Sequence, residues 1–173
     1  MYTYSSSRKD YEKKLPYDIC VFCNEERMMD QSIHTKEGAP IENEFYRWVI
    51  NAYPKFDGHT MLLPKRHIVE IEEERKEEVV ARHELLLVAK NALLKVFENS
   101  GIEIFLQTGS QSASSIEHLH WHVVPARLDD PLRSFEKLGH FYTTDSKEEK
   151  VVLFPTPIML TGKELQSEVA KVL

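Results

Sequence analysis

Apolar and polar positions follow two different periods along this chain. Glu44 to Asn51 is rich in aromatic and β-branched residues (Phe45, Tyr46, Trp48, Val49, Ile50) and predicts a strand. Tyr53 to Gly58 carries turn chemistry, and His59 to Leu63 predicts a returning strand closed by Pro64. The two make an antiparallel hairpin. From about Glu72 to Glu98 the period changes to three and four. Leu85, Val88, Ala89, Ala92, Leu93 and Val96 form a wide apolar helix face. Leu87 and Leu94, one heptad apart, lie on the opposite side and suit a second surface or a second subunit. Glu70, Glu72, Glu73 and Glu74 suit the positive end of the helix dipole. Asn99-Ser100-Gly101 stops it.

Ile102 to Leu106 predicts a short strand, Thr108 to Ser115 a loop of small residues, and His118 to Val124 an alternating strand. A last helix is expected from Thr161, with Glu164 completing a capping box, through Leu165, Val169 and Val172. Strands, helix, then strands point to an α+β fold with an antiparallel sheet. Residues 1–16 read as a flexible N-terminal arm, 17–127 as the domain, and 128–173 as a C-terminal extension packing on it.

The 173 residues carry a formal charge of −6, with 42% hydrophobic and 29% charged positions. That fits one globular domain with a substantial core. It argues against collagen-like or disordered readings and against a general nucleic-acid binder. No apolar run reaches the roughly 20 residues that cross a bilayer, and the charged start lacks a signal-peptide core. No membrane partner is expected. The two cysteines, Cys20 and Cys23, are too close to staple the chain and read as half of a metal site, or as a redox pair. A reducing, cytoplasmic setting follows from that reading.

The informative pattern is His118, His120 and His122. On a strand they share one face, with neighbouring Cα atoms roughly 6.5 Å apart, while Leu119, Trp121 and Val123 face the other. Two chemistries suit such a row. The histidines could bind zinc and activate water, giving a zinc-dependent hydrolase. Alternatively, one imidazole could attack phosphorus while its neighbours orient the phosphate. The adjoining loop, with Gly109, Ser110, Ser112, Ser114 and Ser115, offers hydroxyl and N–H donors that suit an anion and favours the second chemistry.

His118-Leu-His120-Trp-His122-Val-Val resembles the signature of the histidine triad family of nucleotide hydrolases and transferases. The likeness extends upstream through Asn51, Pro54, Gly58-His59 and Pro64-Lys-Arg-His67. It implies a five-stranded antiparallel sheet with a long helix, and two subunits joined into a homodimer. It also implies that His120 attacks the α-phosphorus of a nucleotide to form a covalent nucleotidyl-histidine, with His122 stabilising phosphate charge. Nε2 of His120 would need a lone pair, fixed by a backbone carbonyl accepting from Nδ1–H. Asn51 falls where the family contacts ribose. Gln107, Ser114 and Ser115 fall at phosphate-proximal positions. Many members carry Gly-Gln where this chain has Ala113-Ser114, which leaves hydrolase and transferase both open.

A branch of the family, related to hexose-1-phosphate uridylyltransferases, binds structural zinc. By resemblance its ligands here are Cys20, Cys23, His67 and His118, in a closed site that takes no part in the chemical step. His34 and His83 read as exposed or helix-face histidines, and His59 belongs to the Gly-His turn, near the pocket but with no functional role assigned. A nucleotide-binding module without catalysis remains the other alternative.

Overall fold

The computed structural model describes residues 20–54, 56–98, 100–108, 114, 116–127 and 160–173. The N-terminal arm, most of the C-terminal extension, most of the small-residue loop and Ser115 lie outside the described residues.

The hairpin forms as the alternation predicts: β1 (Tyr46–Ile50) pairs antiparallel with β2 (Thr60–Pro64), setting Ile50 opposite Thr60. The long helix is α2 (Lys76–Val96), followed by β3 (Ser100–Leu106) and β4 (Trp121–Arg127). Among the described residues the antiparallel sheet has four strands, in the order β1-β2-β4-β3, where five were expected. Two further α-helices, α1 (Glu25–Gln31) and α3 (Gly162–Val172), and two short 3-10 turns, Val21–Cys23 and Ile71–Glu73, complete the elements of the described residues.

Helix α1 escaped the periodicity because seven residues offer too few apolar positions; Met28 is its one buried hydrophobic residue. Asn24 starts it by accepting from Arg27 N at 2.9 Å. Helix α2 starts at Arg75, whose N–H donates to Glu78 Oε2 at 2.7 Å. It ends at Phe97, and Ser100 already belongs to β3. Val88 lies on the outer side of α2, not on the buried face expected of it. Leu85, Ala89, Ala92 and Leu93 carry that face, joined by Ala81. Thr161 flanks α3 as anticipated, but its side chain makes no capping bond.

Strand parity gives the sheet two faces. Trp48, Ile50, Leu62 and Val123 pack against α2 and against Leu165 and Val169 of α3. Val49, Met61 and Leu63 pack against Met28 and Phe22 on the other side. His122, opposite Met61 on β2 and Phe105 on β3, shares this second face.

The C-terminal helix is tied to the β1–β2 turn: Gly58 N donates to Leu160 O at 3.0 Å, and Leu160 N to Asp57 Oδ1 at 2.7 Å. Gly58 has φ +67°, and a Cβ there would lie 2.7 Å from both the Phe97 ring and Pro125. Gly58→Ala therefore combines left-handed backbone strain, roughly 1–2 kcal/mol, with overpacking, roughly 1–3 kcal/mol. The expected result is a lower denaturant midpoint at unchanged m-value. A parental midpoint would show that the turn relaxes freely.

Candidate active site and metal cluster

The triad segment does not enter the sheet at His118; β4 begins at Trp121. Ahead of it the backbone bonds to loops instead, Leu119 N donating to Ile68 O at 2.6 Å and His118 N to Ile116 O at 2.8 Å. The three imidazoles therefore do not form one uniform row. They have three separate surroundings.

His118 is buried, and its Nε2 donates to the Pro64 carbonyl at 2.9 Å. That leaves the Nδ1 lone pair facing Cys20 Sγ at 3.4 Å and Cys23 Sγ at 3.5 Å. His67 Nδ1 lies 3.2 Å from Cys23 Sγ. The ligand atoms of Cys20, Cys23, His67 and His118 all fall within 4.8 Å of one another. A tetrahedral zinc with ordinary Zn–S and Zn–N lengths needs S···N edges of about 3.5 Å. The four residues fit that ion, and the Pro64 carbonyl supplies the outer hydrogen bond that fixes a ligating tautomer. Desolvation, the neighbouring Cys20 and the Glu25 carboxylate push the Cys23 thiol up to about 11. Desolvation drives the His118 imidazole down to about 4, against the Pro64 bond and with the help of His67 and His120. Without a cation, then, Cys23 favours the neutral thiol and His118 the neutral imidazole.

His120 is 4% exposed, and its Nδ1–H donates to the His118 carbonyl at 2.7 Å. Nε2 consequently carries the lone pair. Desolvation lowers its pKa, and the His118 carbonyl works in the opposite direction. Phe22, between the two cysteines, packs edge-on against both His118 and His120, with centroids 5.7 and 5.4 Å away. The metal cluster and the central histidine thus share one aromatic wall.

His122 Nδ1 lies 2.8 Å from His59 Nε2, which in turn lies 3.2 Å from Asn51 Nδ2. Asn51 Oδ1 accepts from Tyr53 N at 2.9 Å, so Nδ2 is the end that donates to His59. His122 Nδ1 lies against the same nitrogen, so Asn51, His59 and His122 form one polar chain leading into the site. Phe105 stacks on His122 at 4.4 Å with 17° between the rings. Phe105 escaped the sequence reading as part of the site, and the sequence places His59 near the pocket without assigning it a role. The hairpin register held the missing signal for His59: it stands two residues before Met61, which faces His122 across the sheet.

Gln107 follows β3, one residue beyond the pairing of Leu106 with Trp121. It is half-buried. Ser114 is half-buried and its hydroxyl donates to Ile116 O at 3.0 Å. Trp121 turns to the helix face, where the Arg82 guanidinium lies 4.0 Å from its ring centroid. Glu74 holds Arg82 at 2.8 Å.

The family model for the HIT domain matches residues 35–129, more than half of the chain. The chain belongs to the HIT domain family. An uncharacterized 16.1 kDa HIT-like protein of Mycoplasma pneumoniae is 30% identical over 107 residues, spanning 61% of this chain and 70% of that one. A zinc-bound histidine triad family protein from Mycobacterium smegmatis superposes with a TM-score of 0.54 at 23% identity, covering 88% of this chain and 94% of that chain. A hypothetical histidine triad nucleotide-binding protein from Sulfolobus tokodaii gives 0.58 at 18% identity, covering 88% of each. These HIT structures share the α+β fold. No helix among the described residues is long and apolar enough to cross a membrane.

Proposed function

We propose that this HIT protein transfers a nucleotidyl group from a nucleoside polyphosphate, dinucleoside polyphosphate or nucleoside phosphoramidate, through a covalent nucleotidyl-histidine on His120. The observation that carries this reading is the 2.7 Å bond from His120 Nδ1–H to the His118 carbonyl, which leaves an unprotonated Nε2. Nε2 attacks the α-phosphorus, a P–N bond forms, and the bond to the leaving group breaks. Water or another acceptor such as phosphate then displaces His120, and the imidazole returns to its starting form. His122, oriented by His59 and Phe105, stabilises the negative charge that builds up on the phosphate oxygens. Gln107, Ser114 and Ser115 serve the phosphate. Asn51 serves the ribose by family position, although both ends of its amide are already engaged inside the protein.

Zinc bound by Cys20, Cys23, His67 and His118 would fix the fold around the site by linking the thiol-bearing turn to the triad segment. The zinc-bound relative and the S···N spacings support this. Among the described residues the candidate cluster takes His118 of the triad but neither His120 nor His122, which leaves those two for the phosphate. This weighs against the zinc-dependent hydrolase reading. We also infer a homodimer. Val80, Leu87 and Val88 are exposed on α2, and Ile104 on β3, at the edge of the sheet among the described residues. A reducing, cytoplasmic setting suits the two free thiols.

The test is a panel of mono- and dinucleoside substrates, run with and without inorganic phosphate, with products resolved by mass. Nucleoside monophosphate in both conditions identifies a hydrolase, and nucleoside diphosphate formed only with phosphate identifies a phosphorylase. Binding without turnover across the panel would support the non-catalytic module instead. His122→Ala should slow turnover about 10²–10³-fold, the scale for losing a charge-stabilising donor. An unchanged rate would remove His122 from the mechanism.

A further inference from the structure

The metal cluster is assembled from two separate stretches of chain beside the triad segment. One carries Cys20 and Cys23 and leads into α1. The other, Pro64 to His67, leaves the end of β2. A chain of ion pairs runs between them. Glu25, two residues after Cys23, accepts from Arg47 at 2.9 Å. Arg47 donates onward to Glu42 at 2.7 Å, and Lys65, two residues before His67, donates to the other oxygen of Glu42 at 2.6 Å.

We propose that Arg47 and Glu42 are positioning residues for the metal centre, the chain Glu25–Arg47–Glu42–Lys65 setting the spacing between its two halves before an ion arrives. The inference rests on the metal-centre reading above. Three observations carry it. First, the chain ends two residues from a ligand on each side. Second, its central member is not a loose surface charge: the Arg47 side chain is 8% exposed, on the site face of β1. Burying a guanidinium is costly unless carboxylates surround it, and two carboxylates do. Third, the exposed ligand His67 is held a second time: its neighbour Arg66 grips Glu78 of α2 with two bonds of 2.9 and 2.8 Å. The His67 side therefore has a fixed frame for the Glu42 bridge to act against. Desolvation opposes the charge on Glu42, and the bonds from Lys65 and Arg47 more than offset it.

An ion-pair chain that merely stabilised the fold would change the unfolding midpoint and leave the metal affinity of folded protein untouched. A positioning chain lowers that affinity, because the metal must then organise its own ligands. The experiment uses the full chain in parent, Arg47→Met and Glu42→Gln forms, with Glu168→Gln as a distant ion-pair control on α3. Zinc affinity is measured by competition with a chromophoric chelator, at a temperature where each form is folded by circular dichroism. Cobalt(II) spectra report the coordination geometry.

Arg47→Met is expected to weaken zinc binding up to about 10-fold, the lower bound for losing a group bonded directly to a metal ligand, because Arg47 acts one residue further out. It should also broaden the tetrahedral cobalt bands. Glu42→Gln should give a smaller loss in the same direction, and the control should match the parent. Should Arg47→Met fail to fold, the nearly isosteric Glu42→Gln decides the question. Zinc affinities within twofold of the parent in every folded variant, with unchanged cobalt spectra, would overturn the clamp and leave the metal centre standing. A parent chain that binds no zinc would overturn both.

Discussion

His120→Ala is expected to reduce turnover by at least about 10⁴-fold, the residual rate coming from binding and charge stabilisation alone. Covalent labelling by substrate should disappear, and nucleotide binding should stay near the parental value. The fold should persist, because the ring's one backbone bond goes to the carbonyl two residues away and no distant element depends on it. His120→Gly leaves a ring-sized gap beside Phe22, which added imidazole could enter to restore part of the rate. The measurement is steady-state turnover beside intact-protein mass after a short substrate exposure. Parental turnover in His120→Ala would disprove the nucleophile assignment.

Metal removal should have the second-largest effect, and it should appear in stability. With free zinc at 1,000 times its dissociation constant, binding to the folded state contributes about 4 kcal/mol. For a chain of this length that corresponds to a thermal midpoint higher by roughly 8–16 °C. Chelation, or Cys20→Ser together with Cys23→Ser, should remove this increment and leave turnover largely intact at temperatures where the protein stays folded. One zinc per chain should be found in the parent by elemental analysis. A triad that itself bound the catalytic zinc would behave differently: chelation would abolish activity without unfolding, and zinc would restore it.

Period-two and period-three-to-four patterns act over local distances, and they specified the hairpin, α2 and the flank of α3. They could not specify where β4 begins. That boundary depends on the Pro64 carbonyl and the Ile68 carbonyl capturing His118 and Leu119, two contacts made across some fifty residues of chain. Helix α1 lay below the length at which periodicity carries information. Val88 was misplaced because the apolar face of α2 is narrower than its apolar composition; the helix leaves Val79, Val80, Leu87 and Val88 outside. For the site, the triad spacing and Cys20-Val-Phe-Cys23 identified residues that the fold then brings together. The contribution of His59 was hidden because a single histidine after glycine looks like turn chemistry until the hairpin register is known. The Arg47–Glu42–Lys65 chain was invisible for the same reason: charged residues scattered over three segments have no sequence pattern.

The stacking of Arg82 on Trp121 has a practical consequence. The chain has two tryptophans. Trp48 is wholly enclosed between the sheet and the helices, so its emission should be indifferent to ligands. Trp121 neighbours the triad histidines in sequence, but its ring turns to the helix face with the Arg82 guanidinium 4.0 Å from its centroid, so its emission should report on that face. The protein therefore contains its own optical reporter of the contact between the sheet and α2, and Trp48→Phe would isolate its signal.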